Sequence, residues 1–165
     1  MFKVILSFVL IAATTLYGFI ISRRLTIRRQ ALESIVDSIV RMRSLIGFGG
    51  YEISRVIKSS FGCSKGFESF DYSSFDEDNL PTLWINLVNT ISGELCLNSE
   101  DKELLVKFSE GIGITDTDGQ LANCDLYCEL FKERIADAKE KEKASGRLYK
   151  IIGFSFGCVI TLMIV

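Results

Sequence analysis

Residues 117–165 read TDGQLANCDLYCELFKERIADAKEKEKASGRLYKIIGFSFGCVITLMIV, with no proline in the stretch. Leu121, Cys124, Cys128, Phe131, Ile135 and Ala138 recur at steps of three and four, which places them on one face of a helix. Charged residues fill the other faces. Few of these seam positions are leucine, so the pattern predicts packing into a bundle, not a long homodimeric coiled coil. Thr117-x-x-Gln120 fits a capping box at the helix start. Residues 151–165 then carry no charge. Nothing between the two parts breaks a helix, so one helix is expected to run from a domain into a membrane, entering after about 50 Å.

The opposite end mirrors this. Residues 4–21 are free of charge, and at 1.5 Å per residue they cover about 27 Å of a ~30 Å hydrocarbon core. A cleaved signal peptide has a shorter apolar run and an A-x-A site, whereas Ser22-Arg23-Arg24 follows here as a stop-transfer signal. The second apolar run is shorter, about 22 Å. Lys150 would have to reach back towards water for Leu148 and Tyr149 to join it. Gly153 and Gly157 offer a small-residue face for packing on another membrane helix. Arg23, Arg24, Arg28 and Arg29 follow the first anchor, and Lys139, Lys141, Lys143, Arg147 and Lys150 precede the second. Both flanks put the intervening residues on the cytoplasmic side. The expected domains are an anchor at 1–22, a cytoplasmic domain at 23–150 and an anchor at 151–165.

Working inward, Leu32, Ile35, Val36, Ile39, Met42 and Ile46 mark a helix over 26–46, continuous with the first anchor and ended by Gly47, Gly49 and Gly50. Ile53, Val56, Ile57 and Phe61 mark a short second helix. Residues 62–79 read as a loop, with Phe67, Phe70, Tyr72 and Phe75 in it. Pro81 opens a third helix with Leu83, Trp84, Leu87, Val88 and Ile91 on one face. Asn98 or Ser99 opens a fourth, with Glu100, Asp101 and Glu103 complementing its dipole.

The chemistry-bearing residues point away from catalysis. The chain has no histidine, which removes the commonest general base and metal ligand. Five scattered cysteines do not form a disulfide framework. Cys124 and Cys128 lie on the apolar seam, where core packing explains them better than a metal clamp. Asp116-Thr117-Asp118-Gly119 hints at a calcium loop, but Ile114 and Asp125 fall at its first and last positions, so helix capping explains the acids. There is no Walker-type phosphate loop. No metal and no cofactor are expected. Charge is strongly partitioned: residues 23–58 carry a net +5, residues 59–131 a net −11 and residues 132–150 a net +3. The basic parts adjoin the anchors and suit anionic lipid, while the acidic part suits a basic protein partner. Nucleic acid and small-molecule substrates are not expected.

Three stretches resemble the stage III sporulation protein AB family. The most specific is Leu97-Asn98-Ser99-Glu100-Asp101 with Leu104-Leu105, Phe108, Gly113-Ile114-Thr115-Asp116 and Gln120. Arg147-Leu148-Tyr149-Lys150 before Gly153 and Gly157, and Gly18 with Ser22-Arg23-Arg24-Leu25, also match. The chain departs from the family pattern at residues 47–53, which lack its proline, and at Ser109, where the family has glycine. The resemblance implies a part of the channel linking mother cell and forespore. It implies a domain similar to the platform protein of type II secretion and type IV pilus systems, a bundle of about six helices.

The resulting expectation is an all-α antiparallel bundle of about six helices between two transmembrane helices. It would be a non-enzymatic platform in the mother-cell (outer forespore) membrane, with its domain in the mother-cell cytoplasm. The implied partners are the cytoplasmic ATPase stage III sporulation protein AA and other channel components. Glu100, Asp101, Glu103, Asp116 and Asp118 are the candidate docking residues. Phe108, Gly113, Thr115, Asp116 and Gln120 are motif positions with structural roles. The alternative is a membrane-tethered regulatory adaptor outside any secretion-like machine.

Overall fold

The computed structural model describes residues 2–49, 52–64, 66–68, 70, 72, 79–113 and 115–164. Within these, the side chains of residues 2–8, 10, 11, 147, 150, 153, 154, 156–158 and 160–164 are outside the description. Among the described residues there are five helices and no strands. They are α1 (Phe2–Phe48), α2 (Ile53–Phe61), α3 (Leu80–Glu94), α4 (Ser99–Glu110) and α5 (Thr117–Ile164). The all-α expectation holds; five described helices stand where the resemblance implied about six.

Two compact units divide the chain. One comprises Met1–Arg29 and Asp137–Val165, the other Gln30–Ala136. The sequence boundaries at 22/23 and 150/151 follow hydropathy, whereas these follow packing.

In the unit Gln30–Ala136, the α1 stripe of Leu32, Ile35, Ile39 and Met42 is fully buried. On α5 the seam residues Cys124, Cys128, Phe131 and Ile135 are also buried. Trp84, Phe61, Phe67 and Phe108 form the aromatic centre. Phe61 lies edge-on to Trp84 at 5.0 Å between centroids and meets Phe67 at 5.3 Å. Trp84 Nε1 donates to the Leu105 carbonyl at 2.7 Å, so its one polar atom is satisfied without water. Trp84, in the first turns of α3, thus meets the later part of α4, and the two helices run antiparallel. Phe67 and Tyr72 fold onto this core, and the Tyr72 hydroxyl donates to the Phe67 carbonyl at 2.9 Å. Those loop aromatics therefore cover their own domain; Phe75 lies outside the described residues.

The helix ends follow local chemistry. Pro81 sits in the first turn of α3, where its missing N–H costs nothing. α3 closes with Leu97 N–H on the Ser92 carbonyl at 3.0 Å and Cys96 N–H on the Gly93 carbonyl at 3.3 Å. This is a Schellman closure, and it puts Cys96 at φ 54, a left-handed position usually held by glycine. Gly66, at φ +91, lies so close to Leu95 that an added Cβ would sit 2.4 Å from Leu95 Cδ2.

In the other unit, α1 and α5 pair antiparallel. Ser22 faces Gly146, where an added Cβ would lie 3.4 Å from the serine Oγ. Thr26 Oγ1 donates to Glu142 Oε1 and Arg29 Nε to Glu142 Oε2, both at 2.6 Å. Arg28 Nη1 lies 3.7 Å from Asp137. Among the described residues no helix is long and apolar enough to cross a membrane. Within the first apolar segment the side chains of residues 4–8, 10 and 11 lie outside the description, as do most of those in 151–165. The surroundings of Gly153 and Gly157 lie outside it too.

Candidate functional site

The structure separates the five candidate acids by position and by role. Asp101 is wholly buried. It forms a capping box with Asn98: Asp101 N–H donates to Asn98 Oδ1 at 2.8 Å, and Asn98 N–H donates to Asp101 Oδ2 at 3.1 Å. Its other oxygen accepts from Arg134 Nε at 3.1 Å. Asp101 thus closes the domain and has no surface to offer a partner. Glu100, beside it, is exposed and pairs with Arg134 Nη2. Glu103 is exposed and accepts from Lys107 one turn on, which holds its carboxyl below the ordinary range.

Asp116 and Asp118 are exposed at the start of α5. Asp116 Oδ1 accepts the Gly119 N–H at 2.9 Å, so Asp116 caps the helix. The capping box expected from Thr117 and Gln120 is replaced by this bond, because α5 begins at Thr117 and leaves Asp116 at the cap position. Gln120 Nε2 instead donates to the Thr115 carbonyl at 3.0 Å and braces the approach to the helix. Gly113 has φ +78, a left-handed turn between α4 and α5.

Arg134 marks the level of Glu100 along α5. Sixteen residues separate it from Asp118, about 24 Å of helix. The exposed candidate acids therefore form two patches within this unit, Glu100 with Glu103 and Asp116 with Asp118, and exposed Asp125, Glu129 and Glu133 lie on α5 between their levels. Sequence spacing showed the acids but not the split, since Arg134 lies far away in the chain and nothing local links it to Asp101.

Phe108 is buried against Trp84, at 6.1 Å, and Tyr127, at 5.4 Å. Asn123 Nδ2 donates to the Phe108 carbonyl at 3.1 Å, tying α4 to α5. Ser109 is buried, and its hydroxyl is satisfied by the Val106 carbonyl at 2.7 Å, so a serine is accommodated where the family pattern has glycine. Arg43 makes a two-pronged pair with Asp125 at 2.6 and 3.0 Å.

Cys124 and Cys128 are buried in the core, whereas Cys63 is exposed. Burial pushes the Cys124 thiol up to about 11 and raises Cys128 as well. Both are therefore thiols and poor nucleophiles at neutral pH. Among the described residues no group of three or more histidine, cysteine or acidic side chains is placed to hold a metal.

On the paired unit, Val9, Leu16, Tyr17, Phe19 and Ile20 of α1 point outward, as do Leu148, Tyr149, Ile151, Ile152 and Val159 of α5. Arg23 and Arg24 are exposed just beyond them.

These features define an all-helical protein built on two long helices that pair antiparallel, with an acidic domain. The chain belongs to the stage III sporulation protein AB family, whose family model matches residues 3–165. It is similar to "Stage III sporulation protein AB" of Bacillus subtilis (strain 168), at 24% identity over 172 residues, covering 99% of each chain. No solved structure matches it. The family gives the chain a role in sporulation.

Proposed function

We propose that this chain is a non-enzymatic platform of the channel between mother cell and forespore. It is anchored in the mother-cell membrane by residues 1–22 and 151–165 and holds a cytoplasmic secretion-type ATPase, stage III sporulation protein AA, against it. The observation that carries membrane anchoring is the outward apolar surface at the paired helix termini, flanked at once by exposed Arg23 and Arg24. Docking is supported by the charge balance. The acidic middle of the chain lies between basic segments that suit anionic lipid, which leaves the acids for a basic protein surface. The lack of histidine favours holding a partner over doing chemistry.

The test is capture of the ATPase by full-length protein in detergent, with two charge-reversal variants. One carries Glu100→Lys and Glu103→Lys, the other Asp116→Lys and Asp118→Lys. Loss of capture by either variant supports acidic docking and says which patch is used. Undiminished capture by both rejects it.

A further inference from the structure

The paired unit carries a register. Ser22 meets Gly146, and Thr26 meets Glu142. Each pair sums to 168, and the ion pairs Arg29–Glu142 and Arg28–Asp137 straddle the same value. Both helices continue unbroken towards their apolar ends, to Phe2 on α1 and Ile164 on α5. Carried along them, the register sets residue 18 level with residue 150 and residue 4 level with residue 164.

This limits the apolar length that the two helices share. On α1 the charge-free run begins after Lys3. On α5 it begins after Lys150, which is level with Gly18. The interval free of charge on both helices is therefore residues 4–17 against 151–164, fourteen positions, or about 20 Å. A bilayer hydrocarbon core is ~30 Å thick. Either helix alone could slide or tilt to adjust its depth, but a pair locked at Ser22, Thr26 and Arg29 moves as one body. Lysine can lift its ammonium towards the headgroups, which narrows the deficit. Tyr17 and Tyr149 are exposed within two residues of the same level, beside the upper limit of the interval. Tyrosine favours the boundary between hydrocarbon and headgroups, so an independent observation puts that boundary at the same height.

We infer that the register-locked anchor pair is matched to a thin bilayer, so that the protein thins the membrane around it or collects where the membrane is already thin. The lipid partner is a bilayer with a hydrocarbon core well below the usual thickness. This rests on the membrane reading proposed above.

The full-length protein is reconstituted into vesicles of dimyristoleoyl, dioleoyl or dierucoyl phosphatidylcholine, whose cores are thin, ordinary and thick. Insertion is read as the fraction that floats with lipid after an alkaline carbonate wash. The expected result is several-fold greater insertion into the thin vesicles than the thick ones. Lys150→Leu moves the upper limit to Arg147, which is level with Ile21, lengthens the shared interval to about 25 Å, and shifts the optimum towards dioleoyl lipid. Equal insertion into all three, or a preference for the thick vesicles, overturns the inference but leaves the anchors standing. Insertion into none overturns the membrane reading itself. A Ser22→Cys, Gly146→Cys variant, with the native cysteines replaced by serine, is expected to cross-link within one chain on oxidation. Failure to do so in the vesicles removes the register and the inference with it.

Discussion

Arg134, on α5, reaches the N-terminus of α4 and places its Nε 3.1 Å from the buried Oδ1 of Asp101. One aspartate thereby caps α4 with one oxygen and fixes α5 against it with the other. Removing Asp101 loses both of these bonds, while Arg134 keeps its pairing with the exposed Glu100.

Asp101→Ala is expected to destabilise the domain by about 2–3 kcal/mol, through the lost cap and the lost charge-assisted bond to Arg134 together. Asp101→Asn keeps an acceptor for the Asn98 N–H and should lose less. Urea unfolding followed by the fluorescence of Trp84, the single tryptophan, measures both. An alanine variant as stable as the native protein would remove the structural role assigned to Asp101 and return it to the docking candidates.

Cys96 occupies a left-handed position where a side chain is strained by about 1 kcal/mol or more. Cys96→Gly relieves that strain, and the looser unfolded chain takes back part of the gain. The expected result is a net stabilisation of about 0.5–1 kcal/mol in the same urea assay. The substitution should not change capture of the ATPase.

The thiols should differ sharply in reactivity. Cys63 is exposed, while Cys124 is buried with its thiol pushed up to about 11, leaving about one part in a thousand as thiolate at pH 8. Cys63 is expected to react with a disulfide reagent in the native protein. Cys124 and Cys128 should react only on unfolding, as peptide mapping of the labelled sites would reveal. Early labelling of Cys128 would mean that the α5 seam opens readily.

Most of the helical layout was legible because it is written in local periodicity. Leu32, Ile35, Ile39 and Met42 announce a buried stripe at the right spacing, and Asn98 with Asp101 announces a helix start. Tertiary partners carry no such local signal. Arg134 reads from sequence as one more charge on a solvated face, and its bond to Asp101 exists only once α4 and α5 are side by side. The acids were legible as a charge block, yet their division into two patches was not, because linear charge density ignores which end of a helix each residue occupies. The aromatic loop shows the same limit. Phe67 and Tyr72 were visible, but whether they faced their own core or a partner depended on Phe61 and Trp84, which lie in other helices.

Acid should loosen the pairing of α1 and α5 through Glu142. The Thr26 hydroxyl holds its carboxyl below the ordinary value of 4.5, the Arg29 guanidinium adds to this, and partial burial works against both. A carboxyl whose folded pKa lies below its unfolded one favours the folded state most when ionised. That contribution is fully present above about pH 4.5 and fades as pH falls through the folded value. Spin labels at Arg24→Cys and Ala144→Cys, which the register sets opposite each other, read the pairing outside the anchors. With the native cysteines replaced by serine, their mutual broadening is expected to be strong near neutral pH and to weaken on acidification to about pH 3, below the ordinary carboxyl range. In Glu142→Gln the neutral amide still accepts from Thr26 but no longer attracts Arg29 as a charge. Its broadening should be weaker at neutral pH and nearly flat on acidification. An equal acid response in the glutamine variant would place the titrating group elsewhere and remove the role assigned to Glu142.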